Sequence, residues 1–210
     1  YSIDEAFVDL TALRNVHGSY EVIVSKMRLA IEKELGITVS AGISLSKVLA
    51  KIGSKHNKPN GQCIISAQEI PLYLGRLPVE KVWGIGPNTA AFLNKHGITT
   101  ALQFANKEEG FVSKYLSKPY YEIWHELNGR SVLPVTTAAK AIYKSISKGK
   151  TFTPPSKDKT FVFAQLSKNL ENACIKARKY RLAAKSIVIY LRKQDFTSSG
   201  VELHLPTPSS

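Results

Sequence analysis

Residues 36–65 read GITVSAGISLSKVLAKIGSKHNKPNGQCII and decide the first part of the fold. Apolar residues occupy every second position from 37 to 43, which is typical of a half-buried strand. Ser44 is placed to cap a helix that continues to about residue 55. Residues 58–61, Lys-Pro-Asn-Gly, have the composition of a turn, and a second strand is expected near 63–65. The stretch therefore predicts an α/β arrangement of strand, helix and strand.

The pattern changes on both sides of this stretch. Upstream, a helical repeat covers 19–35, and residues 1–10 are expected to form two short strand arms that meet at Asp4 and Glu5. Downstream, glycine and proline separate short helices, and these are predicted at about 67–74, 88–96, 100–106, 108–117 and 119–128. A strand near 142–152, a long helix over about 158–183 and a hairpin of strands 186–194 and 200–205 complete the prediction.

The expected fold class is α+β and multidomain. It consists of a partial α/β domain over 1–75, a small all-α domain over 76–135, a linker over 136–141 and a truncated, basic α+β domain over 142–210. Because the chain lacks an initial Met and begins inside a predicted strand, we expect it to be part of a longer protein.

Charge indicates the class of partner. The chain has 29 Lys and Arg against 16 Asp and Glu, a net charge of +13, and 13 of these basic residues but only 4 acidic ones lie in 141–210. Such an uneven positive charge favours a polyanionic partner, although a basic, solvated surface remains the alternative.

No apolar run of about 18 residues is present, and the N-terminus does not resemble a signal peptide. Cys63 and Cys174 have no metal-type spacing and are expected to be reduced, as in the cytoplasm.

Several motifs carry candidate chemistry. Asp4 and Glu5 at a turn could hold hard cations such as Mg²⁺, and paired metals serve phosphoryl transfer, although acids in turns are usually just solvated. Lysines at 47, 51 and 55 are spaced four residues apart and predict a basic stripe along one helix face, which could equally be a solvated surface.

Residues 82–93, VWGIGPNTAAFL, are typical of a helix–hairpin–helix that binds phosphate. The residues expected to contact phosphate are Gly84, Ile85, Gly86 and Thr89. Ile85, Ala90 and Leu93 are expected to pack the two helices together.

Polar and basic residues of the last unit suit contact with a duplex backbone. The candidates are Ser145, Ser147, Lys148, Lys150, Arg192 and Lys193.

Four stretches together resemble the Y-family, or DinB/UmuC-type, DNA polymerases: YSIDEAFVDL at 1–10, GITVSAGIS at 36–44, KVLAK at 47–51 and NKPNG at 57–61. The resemblance implies palm, thumb and little-finger domains in this order. It implies that Asp4 and Glu5 are two of three catalytic carboxylates that bind two Mg²⁺ ions, that Lys58 contacts the triphosphate, and that Lys47 and Lys51 lie near the active site. KGKTF at 148–152 and LRKQDF at 191–196 favour the DNA polymerase IV branch, whereas Trp83 favours the UmuC branch.

The function implied by this resemblance is template-directed translesion DNA synthesis in the bacterial cytoplasm, by a monomer that binds primer–template DNA and dNTP. The first catalytic motif, the fingers, the end of the little finger and any segment that binds a sliding clamp would lie outside the chain. We therefore expect the chain alone to bind DNA without extending a primer efficiently. The alternative is a noncatalytic DNA-binding module or degenerate relative. A DNA-repair glycosylase ranks last, because no catalytic Asp follows shortly after Gly86.

Overall fold

A computed structural model of the chain describes residues 4–137 and 143–209. It divides into two compact units, and the division falls after Thr137. No helix in these described ranges is both long enough and apolar enough to cross a membrane.

The first unit contains the predicted α/β arrangement. Helices α1 (Arg14–His17) and α2 (Tyr20–Leu35) precede strand β1 (Ala41–Ile43), helix α3 (Lys47–His56) and strand β2 (Gln62–Ile64). The two strands are parallel, and Gly42 lies opposite Cys63 in their register. A Cβ atom on Gly42 would lie 2.0 Å from the carbonyl oxygen of Ala50, so α3 packs closely over β1 only because this residue is glycine. The strand–helix–strand prediction is confirmed.

Two details of that prediction are wrong. Strand β1 has three residues instead of the seven expected, and Ile37 is 54% exposed because the chain has not yet reached the sheet. The helix cap is Ser46, whose side chain accepts a hydrogen bond from the backbone N–H of Leu49. Ser44 instead donates its hydroxyl to the carbonyl of Ile65 at 2.8 Å, which fastens the end of β1 to the chain after β2.

Short helices follow, as predicted. They are α4 (Ile70–Gly75), α5 (Pro87–Lys95), α6 (Ala101–Ala105), α7 (Glu109–Tyr115) and α8 (Lys118–Leu127), with single 3₁₀ turns at Ala67–Glu69 and Val79–Lys81. Their buried apolar side chains form one core with those of α3 and the second strand, extending from Val48 and Leu49 to Phe104 and Leu127. The predicted boundary between residues 75 and 76 therefore lies within a continuous core.

The second unit consists of helix α9 (Lys159–Lys179) and a two-stranded antiparallel sheet, β3 (Ala184–Arg192) and β4 (Ser198–Ser209). The carboxylate of Asp158 caps α9 by accepting the backbone N–H of Phe161 at 2.6 Å. The long helix and the hairpin are thus confirmed, and an α+β fold class holds for the chain.

In the described part of the chain, two predicted strands are absent. Residues 4–10 contain a turn at Asp4 and a single β-bridge residue, Glu5, but no strand, and residues 1–3 of the predicted arms lie outside the described part. Residues 143–152 also form no strand, and residue 142 lies outside the described part. In that segment the half-buried residues Tyr143 and Ile146 are three positions apart, and most residues between and after them are exposed, so the period of two that a half-buried strand requires is not realised.

Candidate active site

The predicted acidic pair lies against the basic helix α3. The ammonium of Lys51 forms an ion pair and hydrogen bond with the Glu5 carboxylate. The Lys51 side chain is 11% exposed and that of Glu5 is 33% exposed, so the pair is partly shielded from water. Asp4, the neighbouring residue, is exposed. The structure therefore brings together two of the predicted site elements, the carboxylates at the turn and the second lysine of the stripe.

Lys47 has a different environment from the one expected of a solvated stripe. It is 4% exposed, and its Nζ donates to the carbonyl of Pro134 at 2.7 Å and lies 5.4 Å from the centroid of the Phe7 ring. Lys55, two turns later on α3, is exposed. The lysine stripe is therefore not a uniform solvated face, because its N-terminal end points into the protein, where a carbonyl and an aromatic ring replace water around the ammonium.

The acidic turn borders a shallow cavity of about 380 Å³. Glu5, Ala6 and Phe7 line one part of it, and Val135 and Thr136 line another. The residues that follow Pro134 are therefore neighbours of the acidic turn, a proximity that no local sequence pattern indicates.

The donor chemistry of Asp4 and Glu5 suits a hard divalent cation, since carboxylate oxygens are the ligands that Mg²⁺ prefers. Within residues 4–137 and 143–209, no cluster of three or more His, Cys, Asp or Glu side chains has metal-binding geometry. In the described part of the chain, the candidate magnesium ligands are therefore these two adjacent carboxylates, without a third such side chain grouped with them. Magnesium bound to proteins commonly takes one or two carboxylates and completes its shell with water and substrate phosphates, so the two residues fit that ion.

Lys58 lies on the exposed loop between α3 and β2. Asn57 donates from Nδ2 to the carbonyl of Gln62 at 2.9 Å, which closes the loop on itself. Arg28 of α2 also bonds to this loop at Asn60, a contact that was not predicted, because an arginine on a helix surface gives no local sequence signal for it.

The helix–hairpin–helix prediction is confirmed in its packing. Ile85, Ala90 and Leu93 are 7%, 5% and 0% exposed and belong to the core. Gly84 has a φ of +91°, in the left-handed region that favours glycine, and Gly86 precedes the first residue of α5. Gly84 is exposed, whereas Gly86 and Thr89 are half-buried. Because the first N–H groups of a helix lack intrahelical partners, the start of α5 is suited to an anion, and phosphate binding there stays a prediction.

The candidate contacts of the second unit are exposed. They lie on the irregular segment 143–152 and at the end of β3, where Arg192 pairs with Ser198 in the register and Lys193 donates its backbone N–H to Thr197. The exposed side chains are those of Ser145, Ser147, Lys148, Lys150, Arg192 and Lys193. Their roles stay predictions.

Family models match the chain in three consecutive parts. The model of the impB/mucB/samB family matches residues 1–55, the model of its helix–hairpin–helix motif matches 67–98, and the model of its C-terminal domain matches 143–210. The chain belongs to the impB/mucB/samB family. The first match contains Asp4, Glu5 and nearly all of α3. The second match contains the helix–hairpin–helix, and the third contains strands β3 and β4.

Relatives with curated names support the same assignment. DNA polymerase IV of Dehalococcoides mccartyi strain CBDB1 is 35% identical over 208 residues, which is 99% of this chain and 53% of that protein. DNA polymerase IV 1 of Mesorhizobium japonicum is 34% identical and matches 93% of this chain and 44% of its own length. DNA polymerase IV of Listeria monocytogenes strain EGD-e is 32% identical, with 97% and 57% covered. The chain spans about half the length of these relatives.

A solved structure has the same fold. A Y-family DNA polymerase chimera superposes with a TM-score of 0.73 over 97% of this chain and 58% of its own, at 24% sequence identity. This chain therefore has the fold of the corresponding part of a Y-family polymerase over 97% of its residues.

Proposed function

We propose that this chain is part of a template-directed DNA polymerase of the translesion type, which transfers a nucleotidyl group from a dNTP to the 3′-hydroxyl of a primer. The observation that carries the proposal is the 35% identity over 208 residues with a protein named DNA polymerase IV. The placement of the acidic turn against α3 supports it, because Glu5 is paired with Lys51 of that helix. We further propose the predicted division into palm over 1–75, thumb over 76–135 and little finger over 142–210.

Each candidate residue has a task in this reaction. The primer 3′-hydroxyl loses its proton to water, its oxygen forms a bond to the α-phosphorus of the dNTP, and the bond from that phosphorus to the bridging oxygen of the β-phosphate breaks, so that pyrophosphate leaves. Asp4 and Glu5 would hold two Mg²⁺ ions together with a further carboxylate, and such ions lower the pKa of the attacking hydroxyl and neutralise the triphosphate. Lys51 orients the Glu5 carboxylate through the ion pair between them. Lys58 contributes a compact positive charge to the triphosphate, for which an exposed lysine is suited.

Primer–template DNA would be held without base-specific readout. The start of α5 and the exposed lysines and serines of the second unit offer backbone amides, hydroxyls and ammonium groups, all of which bind phosphate oxygens. The chain of 210 residues is proposed to bind DNA without efficient primer extension, because it provides two carboxylates for a site that the resemblance equips with three. We propose a cytoplasmic, monomeric protein, with a sliding clamp as a partner of regions outside this chain.

Primer extension tests the proposal in the full-length protein that carries this chain. The wild type, Glu5→Gln and the control Glu34→Gln are compared with Mg²⁺ on undamaged and abasic templates, and DNA affinity is measured by fluorescence anisotropy. Glu34 is an exposed glutamate of α2, so the control removes the same charge away from the acidic turn. We expect Glu5→Gln to lose at least roughly 100-fold in extension rate with unchanged DNA affinity, since a group that supports transition-state charge is removed.

Extension at the wild-type rate by Glu5→Gln would contradict the role of Glu5. Binding of DNA by all three proteins with no extension by any of them would instead favour the noncatalytic DNA-binding module. The 210-residue chain is assayed in parallel, and efficient extension by it would overturn the proposal that it lacks part of the active site.

A further inference from the structure

Arg28 connects helix α2 to the loop that carries Lys58. Its Nε donates to the carbonyl of Val39 at 3.0 Å, and its Nη2 donates to both the carbonyl and the side-chain oxygen of Asn60 at 2.5 and 2.6 Å. The guanidinium therefore joins three elements that are distant in sequence: the helix, the segment leading into β1 and the loop before β2. Lysine could not reproduce this arrangement, because it lacks the planar fork of donors.

The loop held by Arg28 has little freedom. Asn60 adopts a φ of +47°, in the left-handed region that Asn tolerates better than most residues. A Cβ atom on Gly61 would lie 1.8 Å from the carbonyl oxygen of Asn57, so the loop passes close to itself. The backbone N–H of Gly61 donates to the hydroxyl of Ser40 at 3.3 Å, and the Arg28 contacts fix the remaining side. Lys58 is thus an exposed side chain on a loop that Arg28 and Ser40 hold after it and that the Asn57 side chain closes before it, by donating to the carbonyl of Gln62.

We propose that Arg28 is a positioning residue that fixes the loop of Lys58 and so presents its ammonium to the triphosphate of the incoming nucleotide. This inference rests on the proposed role of Lys58 in triphosphate binding. Because the loop is already ordered, less conformational entropy is lost when the nucleotide binds than would be lost with a mobile loop. Arg28 therefore contributes to nucleotide affinity without touching the nucleotide.

Steady-state kinetics of the full-length protein test this role. We expect Arg28→Gln to raise the KM for dNTP roughly tenfold while kcat and DNA affinity change less than about twofold, which is the pattern of lost ground-state and transition-state binding. Arg28→Lys should give an intermediate KM, because an ammonium can keep one of the carbonyl contacts. Lys33→Gln serves as the control, since it removes one positive charge from an exposed position of the same helix.

A double-mutant cycle separates positioning from simple stabilisation of the fold. If Arg28 acts through Lys58, the variant with both Arg28→Gln and Lys58→Ala will have the same KM as Lys58→Ala alone. Effects that multiply, or an unchanged KM in Arg28→Gln when Lys58→Ala raises it, would overturn the inference and leave the role of Lys58 intact. An unchanged KM in Lys58→Ala would show that the proposed triphosphate contact itself has failed.

A second variant keeps the test decisive if Arg28→Gln does not fold. Asn60→Gly removes the side-chain acceptor of Arg28 but allows the positive φ at that position. We expect a smaller increase in the KM for dNTP, in the same direction and again absent in combination with Lys58→Ala. A KM equal to that of the wild type would count against the positioning role.

Discussion

The buried carboxylate of Glu126 in helix α8 accepts a hydrogen bond from the backbone N–H of Val48 in the first turn of helix α3, at 3.2 Å. Glu126 is 0% exposed, and its other carboxylate oxygen accepts the backbone N–H groups of Val132 and Leu133 at 2.8 and 3.0 Å. The hydroxyl of Ser46 donates to the Glu126 carbonyl at 2.6 Å. One acidic residue therefore joins the start of α3 to the segment that follows α8. A carboxylate at this place stabilises α3, because it lies at the positive, N-terminal end of the helix dipole.

Glu126→Gln is expected to destabilise the first unit. The amide has one acceptor oxygen in place of two, and its NH₂ group would face N–H donors that need an acceptor. We expect the free energy of unfolding to fall by about 1–3 kcal/mol, the cost of leaving buried donors unsatisfied. Urea denaturation of the 210-residue chain, followed by tryptophan fluorescence, measures this directly because Trp83 and Trp124 both lie in the first unit.

Glu122→Gln on the same helix is the matched control. Glu122 forms an ion pair with Lys118 at 3.6 Å, and the lysine side chain is 85% exposed. Surface pairs of this kind contribute at most about 1 kcal/mol, so the control should unfold at nearly the wild-type urea concentration. Equal midpoints for the two variants would show that the Glu126 contacts do not stabilise the unit.

Gly84→Ala is expected to disturb the hairpin before α5. Its φ of +91° disfavours any side chain, and a Cβ atom would lie 2.7 Å from Cδ1 of Ile123 in the core. The left-handed conformation alone costs roughly 1–2 kcal/mol, and the end of the Ile123 side chain must shift to make room. Thermal unfolding of the 210-residue chain should therefore show a lower Tm for this variant.

Gly110→Ala makes the same chemical change where the structure has room. Gly110 lies in α7, and apart from its chain neighbours and the backbone of its own helix no atom lies within 4 Å of the position of its Cβ. Alanine favours a helix over glycine by about 1 kcal/mol, so this variant should keep or raise the Tm. A similar decrease in Tm in both variants would mean that the left-handed conformation of Gly84 is not the cause of the destabilisation.

The elements that local patterns determine were predictable from the sequence. Helix α8 was expected at 119–128 and is found at Lys118–Leu127, because helical periodicity, a proline in the first turn and a following Asn-Gly are all contained in the segment. The burial of Ile85, Ala90 and Leu93 follows from the same kind of pattern.

Features that depend on distant partners were not predictable. Ser44 and Ser46 are both suitable caps, and the choice depends on where β1 leaves its pairing with β2, a contact that local sequence does not contain. The burial of Lys47 requires the carbonyl of Pro134, which lies 87 residues away. A buried Glu126 has the same sequence signature as a solvated helix residue, since only the fold places three N–H groups around it.

Salt dependence distinguishes phosphate contacts in the second unit from a general positive field. Residues 141–210 carry 13 basic and 4 acidic residues, and Lys148 and Lys150 are exposed there. Each lysine that neutralises a phosphate releases condensed counterions and contributes about 0.9 to the slope of log K against log salt for duplex DNA. A variant with both Lys148→Gln and Lys150→Gln should therefore have a slope shallower by about 1.8, measured by anisotropy over a series of NaCl concentrations with the 210-residue chain.

The control changes the net charge by the same amount elsewhere. Lys26 and Lys33 are exposed on α2 in the first unit, where basic and acidic residues nearly balance, and a variant with both Lys26→Gln and Lys33→Gln should keep the wild-type slope. Because the two double variants have equal net charge, a difference in slope can arise only from where the lysines lie relative to the duplex. Equal slopes would mean that Lys148 and Lys150 contribute only long-range attraction, which salt screens over about 10 Å at 0.1 M, and that the phosphate contacts lie on other residues.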